Sequence, residues 1–189
     1  MATNDFQTKT SQIPDTKKRG VKPAVAAVDI VELILKDHEP IKAAFEALKD
    51  TKVSRANKTQ AYEKFVFALS GHARSEEQTL YVGMKEAKAT RIEGLEGDSE
   101  HAIADQLVQE IHSCADDDEW TAKVKVLAEL VEHHIQEEEE EMLPDFKTRV
   151  PVAERKELGQ EYARLKAEFD SLHANSAKRV TKIVENKLN

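Results

Sequence analysis

The sequence is short of the residues that build sheets, tight turns and covalent staples. It has one cysteine, six glycines and five prolines in 189 residues, and aromatic side chains make up only 5%. A lone cysteine cannot close an internal disulfide. With no second cysteine or basic cluster beside it, Cys114 reads as a small semi-buried side chain rather than a redox switch. Strand signals are weak throughout, which argues against a sheet. No apolar run approaches the length needed to span a bilayer, and the amino terminus lacks the apolar segment of a secretory signal, so a reducing cytoplasm is the expected compartment. Positive charge is also in deficit: 28 Lys and Arg stand against 36 Asp and Glu, a formal net charge of −8. That balance disfavours phosphate backbones and anionic lipid surfaces, so neither nucleic acid nor membrane is an expected partner. The Gly-rich loops and strand-turn-helix contexts of phosphate-binding and nucleophilic sites are missing as well.

What is present is helical composition. Charged residues reach 34% and hydrophobic residues 40%, with long stretches of mixed Ala, Glu, Lys and Leu, enough for one domain with a packed core. Residues 1–27 are polar, carry the basic cluster Lys17-Lys18-Arg19 and have no apolar period, so a disordered arm is expected there. From Asp29 the pattern changes. Asp29 followed by Glu32 reads as an N-cap with its capping partner, and Val31, Ile34, Leu35, His38, Ile41 and Phe45 recur at helical spacing to about Lys49. Pro40 inside this segment removes the hydrogen bond to the Lys36 carbonyl and predicts a kink beside His38.

A second helix, capped at Ser54 or Asn57, carries Tyr62, Phe65, Leu69, His72, Glu76 and Leu80 inward and is expected to end near Val82-Gly83. The third, capped at Asp98 or Ser99 after a polar stretch with Gly94 and Gly97, carries His101, Ala104, Val108 and Ile111. The fourth begins at Asp116-Asp117-Asp118, where carboxylates favour the positive end of the helix dipole. It carries Trp120, Val124, Leu127, Val131, His134, Glu138 and Met142 and closes near Pro144. Pro151 suits the first turn of a further helix bearing Leu158, Tyr162, Leu165, Phe169, Leu172 and Val180. The expected architecture is all-α: an up-down-up-down four-helix bundle over residues 28–149, with a C-terminal helix over 150–189 packing on the bundle or a second subunit.

Each of the four helices places one histidine in its apolar stripe, and two add a glutamate one turn later. At roughly 100° per residue, Glu76 projects about 40° from His72. On the fourth helix, with Leu130 at zero, Leu127, Val131, His134, Glu138 and Met142 fall within roughly 40° to 120° and His133 near 300°. His134 with Glu138 is therefore the inward pair, although a register shift would substitute His133 and Glu137. Glu77 and the rest of the run Glu137 to Glu141 read as solvated. His112, about three turns beyond His101, and His173 read as structural or surface residues, and Tyr81 is not expected to reach the site. Phe45, Tyr62, Phe65 and Trp120 read as core.

Two facing buried carboxylates are costly and repel unless a cation lies between them. Imidazole with carboxylate suits iron, zinc or manganese. Four histidines and two glutamates match two ions, each taking two imidazoles and sharing both carboxylates, with positions left open for a small ligand. Closed tetrahedral zinc fits that set poorly. The Glu-x-x-His pairs of ferritin-type sites are absent.

Asp37-His38, HARSEEQTLY from His72, His101 and HIQEEEEEMLP from His134, in that order, resemble the hemerythrin family, and in particular its bacterial HHE cation-binding branch. The resemblance covers residues 28 to 165. It implies a metal set of His38, His72, Glu76, His101, His134 and Glu138 around two iron ions, oxo- or hydroxo-bridged. Two departures separate the chain from the oxygen-carrying hemerythrins: Asp105 stands a turn after His101, and Glu138 stands in place of an aspartate. The expected activity is binding or reduction of oxygen, peroxide or nitric oxide with a separate redox partner. The alternative is a non-enzymatic sensor whose metal state alters a partner contact.

Overall fold

A computed structural model describes residues 27–188, with side chains to 174. The expected arm therefore lies outside the described residues except at its last position, as does the side chain of Val180. The described residues are helical, without a strand.

Helix α1 (Ile30–Lys42) starts where Asp29 accepts the Val31 amide at 3.1 Å. It buries Ile30, Val31, Ile34, His38 and Ile41, while Leu35, expected inside, lies on the solvent side. Pro40 sits in its last turn, and the chain breaks at Ala43-Ala44 before α2 (Phe45–Lys49). The interruption thus falls one turn past His38 rather than beside it.

Helix α3 (Arg55–Glu77) has Ser54 at its N-cap position, without a side-chain capping bond. It stops at Gln78-Thr79, several residues before the expected end, and α4 (Leu80–Glu86) follows. Two hydroxyls account for this early stop: Ser75 Oγ donates to the Gly71 carbonyl at 2.8 Å and Thr79 Oγ1 to the Ser75 carbonyl at 2.6 Å. Back-bonding of this kind bends helices, and the bend swings Tyr81 inward.

Helix α5 (Arg91–Ser113) begins at Thr90, not at Asp98 or Ser99. Gly94 and Gly97, expected in a loop, are helical because α4 crosses there. A Cβ on Gly97 would stand 2.6 Å from Tyr81 Cζ, and one on Gly94 2.9 Å from Met84 Cβ. Close packing of the two helices outweighs the roughly 1 kcal/mol per glycine lost in helix propensity.

Helix α6 (Asp117–Glu137) is capped by Asp116, which accepts the Glu119 amide at 2.8 Å. It passes through a π-helical turn (Glu138–Met142) into α7 (Leu143–Arg149), with Pro144 in the first turn of α7, so the helical path outlasts the expected stop. Pro144 has no N–H to give back to the preceding turn, and the irregular π-helical register falls directly before it. Cys114, expected half-buried, is buried, its thiol on the Asp116 carbonyl at 3.4 Å.

Helices α1 with α2, α3, α5 and α6 make the up-down-up-down bundle, and α8 (Val152–Leu188) lies against α1 and α3. Arg155 anchors the start of α8: its Nε donates to Asp29 Oδ2 at 2.8 Å and its guanidinium to the Lys147 carbonyl at 3.0 Å and the Val150 carbonyl. Tyr162 and Phe169 face inward, while Leu172 is on the surface. Gly159 lets α8 touch the start of α1, since a Cβ there would lie 2.1 Å from the Val28 carbonyl oxygen. Gly159→Ala is accordingly expected to destabilise the chain by about 1–3 kcal/mol, against the roughly 1 kcal/mol alanine gains in helix propensity. Calorimetric unfolding reads this directly, and an unchanged melting temperature would contradict the contact.

Two apolar clusters fill the interior. One holds Ile41, Phe45, Tyr62, Phe65, Leu69, Trp120, Val131 and Ile135; the other holds Ile30, Val31, Ile34, Leu80, Tyr81, Met142, Phe146 and Tyr162. On α1 the sequence crosses from the second cluster to the first at His38. On α3 and α6 the crossing points are His72 to Glu76 and His134 to Glu138. A layer of imidazoles and carboxylates therefore separates two oily compartments.

Candidate metal centre

The helical period brings the six expected side chains to that layer. His38, His72, His101 and His134 are each at most 4% exposed, and Glu76 and Glu138 are fully buried. One donor atom each from His38, His72, Glu76 and Glu138 lies within 4.8 Å of the others, as does one each from Glu76, His101 and His134. Glu76 belongs to both groups. Its Oε2 is 3.0 Å from His72 Nε2 and 3.7 Å from His101 Nε2. Glu138 Oε2 in turn is 3.2 Å from His38 Nε2 and 3.8 Å from His134 Nε2. Each carboxylate thus stands between imidazoles of two different helices.

The alternative pair on α6 is elsewhere. His133 is largely exposed and contacts Glu137 at 3.3 Å on the flank. His112 is exposed, its Nδ1 3.0 Å from the Val108 carbonyl oxygen, and His173 stacks on Phe169 with ring centroids 4.1 Å apart.

Several inward atoms have no hydrogen-bond partner: His38 Nε2, His72 Nε2, both oxygens of Glu76 and Glu138 Oε2. Leaving such atoms buried and unsatisfied costs about 1–3 kcal/mol each, more for a charge. A cation removes the cost. With metal–ligand bonds of about 2.0–2.2 Å, neighbouring donors on one ion stand about 3.0–3.5 Å apart, the spacing of the His72–Glu76 and His38–Glu138 pairs. The donors therefore fit metal ions.

Without an ion the charges conflict. Burial, reinforced by the Glu138 charge, holds the Glu76 carboxyl up at about 8. Burial also pushes Glu138 upward, but the His134 and His38 cations outweigh it and hold Glu138 well below the usual carboxylate range. His134 is raised to about 9 despite burial, through its bond to Glu100 and the Glu138 charge. His72 is pushed well below its usual value by burial and the neighbouring His38.

The outer nitrogens of the imidazoles are also held, by residues sequence reasoning left outside the site. Glu139 Oε1 accepts His38 Nδ1 at 2.8 Å and is itself held by Lys42. Glu100 Oε2 accepts His134 Nδ1 at 2.5 Å. Glu77 Oε1 lies 3.3 Å from His101 Nδ1, at ion-pair distance but off the hydrogen-bonding line. Glu77 and Glu139 were expected to be solvated, yet each turns one carboxylate oxygen to the centre. Tyr81, expected not to reach, donates its hydroxyl to Glu138 Oε1 at 2.7 Å and lies 3.2 Å from His134 Nε2. Burial and the Glu138 and Glu76 charges keep its phenol protonated well above the usual range. One signal in the sequence marks the carboxylates: Glu77, Glu139 and Glu100 each adjoin an inward residue. Neighbours on a helix are about 100° apart, so one aims into the bundle and the other across the seam to the next helix.

A helical bundle with imidazoles and carboxylates converging in its buried centre is a metal-binding domain. The hemerythrin HHE cation binding domain matches residues 29–146, and the chain belongs to that family. No curated protein and no solved structure gives a significant match.

Proposed function

We infer that the chain holds a pair of iron ions, one on His38 and His72 and the other on His101 and His134, with Glu76 and Glu138 shared, and that it binds or reduces oxygen, peroxide or nitric oxide. The observation that carries this reading is the set of buried donor atoms converging from four helices, those of His38, His72, Glu76 and Glu138 without a hydrogen-bond partner, at separations that suit metal–ligand bonds. Hard carboxylates with borderline imidazoles and no thiolate suit iron, as they do manganese or zinc, and the resemblance to the hemerythrins favours iron. When bound, the iron pair supplies the electrons and the open positions at which a small oxidant is held.

The protein's own residues set the conditions. Apolar clusters on either side limit water at the centre, which tunes affinity and reactivity. Tyr81, fully buried with its hydroxyl on Glu138, is placed to hold that carboxylate in one orientation. Glu139 and Lys42 line a surface cavity of about 270 Å³ with Phe45, Glu132 and Ile135, and Glu139 reaches His38, so this cavity offers an approach for a small solute.

Protein expressed with added iron is expected to carry two irons per chain and to show the charge-transfer absorption of an oxidised pair, which bleaches on anaerobic reduction and returns with oxygen, peroxide or nitric oxide. A colourless, iron-free product, or one that prefers zinc, would overturn the reading.

A further inference from the structure

The four inward histidines are supported in a circuit. A carboxylate on the α6 path, Glu139, serves His38 on α1; Glu77 on α3 faces His101 on α5; Glu100 on α5 serves His134 on α6. By the same rule a carboxylate beside the inward residue of α1 should serve His72 on α3. That carboxylate is Asp37, next to His38, but it does not touch His72. Tyr162 of α8 stands between them: its hydroxyl is 3.2 Å from His72 Nδ1 and 2.8 Å from Asp37 Oδ2, and Lys166 Nζ lies 3.0 Å from the same oxygen.

We propose that Tyr162 is a positioning residue of the metal centre, by which the C-terminal helix fixes His72 and makes the two ion positions unequal. Residue 162 lies beyond the 29–146 span of the family match, so nothing in that match assigns it a role. The proposal rests on the iron-pair reading for its metal consequences, though not for the hydrogen bonds themselves.

The directions of the bonds are determined. Tyr162 has one hydroxyl proton and gives it to Asp37 Oδ2, so its oxygen accepts from His72, whose ring carries a proton on Nδ1 and turns Nε2 to the centre. Lys166 balances the Asp37 charge. Tyr162 is 2% exposed, with its O–H held on Asp37 Oδ2 at 2.8 Å. A phenol is a neutral acceptor, whereas the other three imidazoles face carboxylates. His72 is therefore the least basic of the four donors, and the ion it shares with His38 depends on α8 while the ion on His101 and His134 does not.

Tyr162→Phe keeps the ring that packs in the second apolar cluster and deletes only the oxygen; Asp37→Asn tests the other end. In the metal-free full-length chain, long-range ¹H–¹⁵N spectra of the imidazoles are expected to show His72 with a protected Nδ1 proton, lost in Tyr162→Phe while the helical circular dichroism is unchanged. In anaerobic titration with ferrous iron, Tyr162→Phe is expected to hold one ion as tightly as the unaltered chain and the second about 10–100-fold more weakly. Asp37→Asn should give a smaller loss at the same position, and the double variant no more than Tyr162→Phe alone. A His72 signal unaltered by Tyr162→Phe would overturn the proposal, as would undiminished affinity for both ions or equal weakening of both. Should the unaltered chain take up no iron, the iron-pair reading fails by itself, and the imidazole spectra still decide whether Tyr162 fixes His72.

Discussion

Chelation is expected to lower the melting temperature of the iron-loaded chain by about 5–10 °C, and Glu76→Gln to abolish the response. An ion present at a hundred times its dissociation constant stabilises the folded state by about 2.7 kcal/mol, and a chain of this size moves by about 2–4 °C per kcal/mol. Glu76 is the carboxylate proposed to be shared, its Oε2 3.0 Å from His72 Nε2 and 3.7 Å from His101 Nε2. An amide cannot supply a negative oxygen to two cations, so the variant loses tight binding at both positions.

The metal-free proteins should differ the other way. The Glu76 carboxyl is raised from 4.5 to about 8 in the fold. The folded chain must keep a proton there that the unfolded chain has released, so metal-free stability falls as pH rises from about 4.5 to about 8 and levels off above. Glutamine has no proton to retain. Above pH 7 the metal-free variant is expected to be more stable than the metal-free original by on the order of a few kcal/mol, and denaturant unfolding at pH 5 and pH 8 measures the difference. Equal pH dependence in the two proteins would show that Glu76 is not a destabilising buried carboxyl.

The adjacent histidines of α6 provide the second large effect. His134→Ala removes a proposed donor of the second ion, strands Glu100 and takes from Glu138 one contact beside those to His38 and Tyr81. Loss of one partner of a buried charged pair costs about 3–5 kcal/mol, and iron content should fall from two per chain to one or none. His133→Ala, one residue away, deletes a largely exposed ring paired only with Glu137. Its stability should stay within about 0.5 kcal/mol, with both ions retained. Elemental analysis and urea unfolding on the two variants decide the matter; similar losses in both would mean that α6 presents a different face to the centre.

The contrast between His133 and His134 was legible in the sequence because the helical period alone assigns the inward face. The same period marked His38, His72 with Glu76, His101, and the core positions Phe45, Tyr62, Phe65 and Trp120, all of which the fold buries. Burial of a stripe is a local requirement, so it is written locally. Helix ends were less legible. Gly94 and Gly97 read as loop because their low helix propensity is intrinsic, whereas the reason for having them, Tyr81 and Met84 pressing on α5, belongs to another helix. Thr79 marks a break only once its hydroxyl turns back on the Ser75 carbonyl, and that break is what brings Tyr81 to Glu138.

The sequence by itself determined an all-helical chain and most of the residues its helices turn inward, Leu35, Leu172 and Tyr81 excepted, because periodicity and the cost of burying unpaired charge act within a single helix. Only the tertiary structure decided what each of those residues meets. Glu100 reaches His134 and Glu139 reaches His38 because they lie across a seam between helices, and Tyr162 reaches His72 because α8 lies against α1 and α3. Such partners are separated by up to 101 residues, and no local pattern encodes a distance that exists only after the helices have packed.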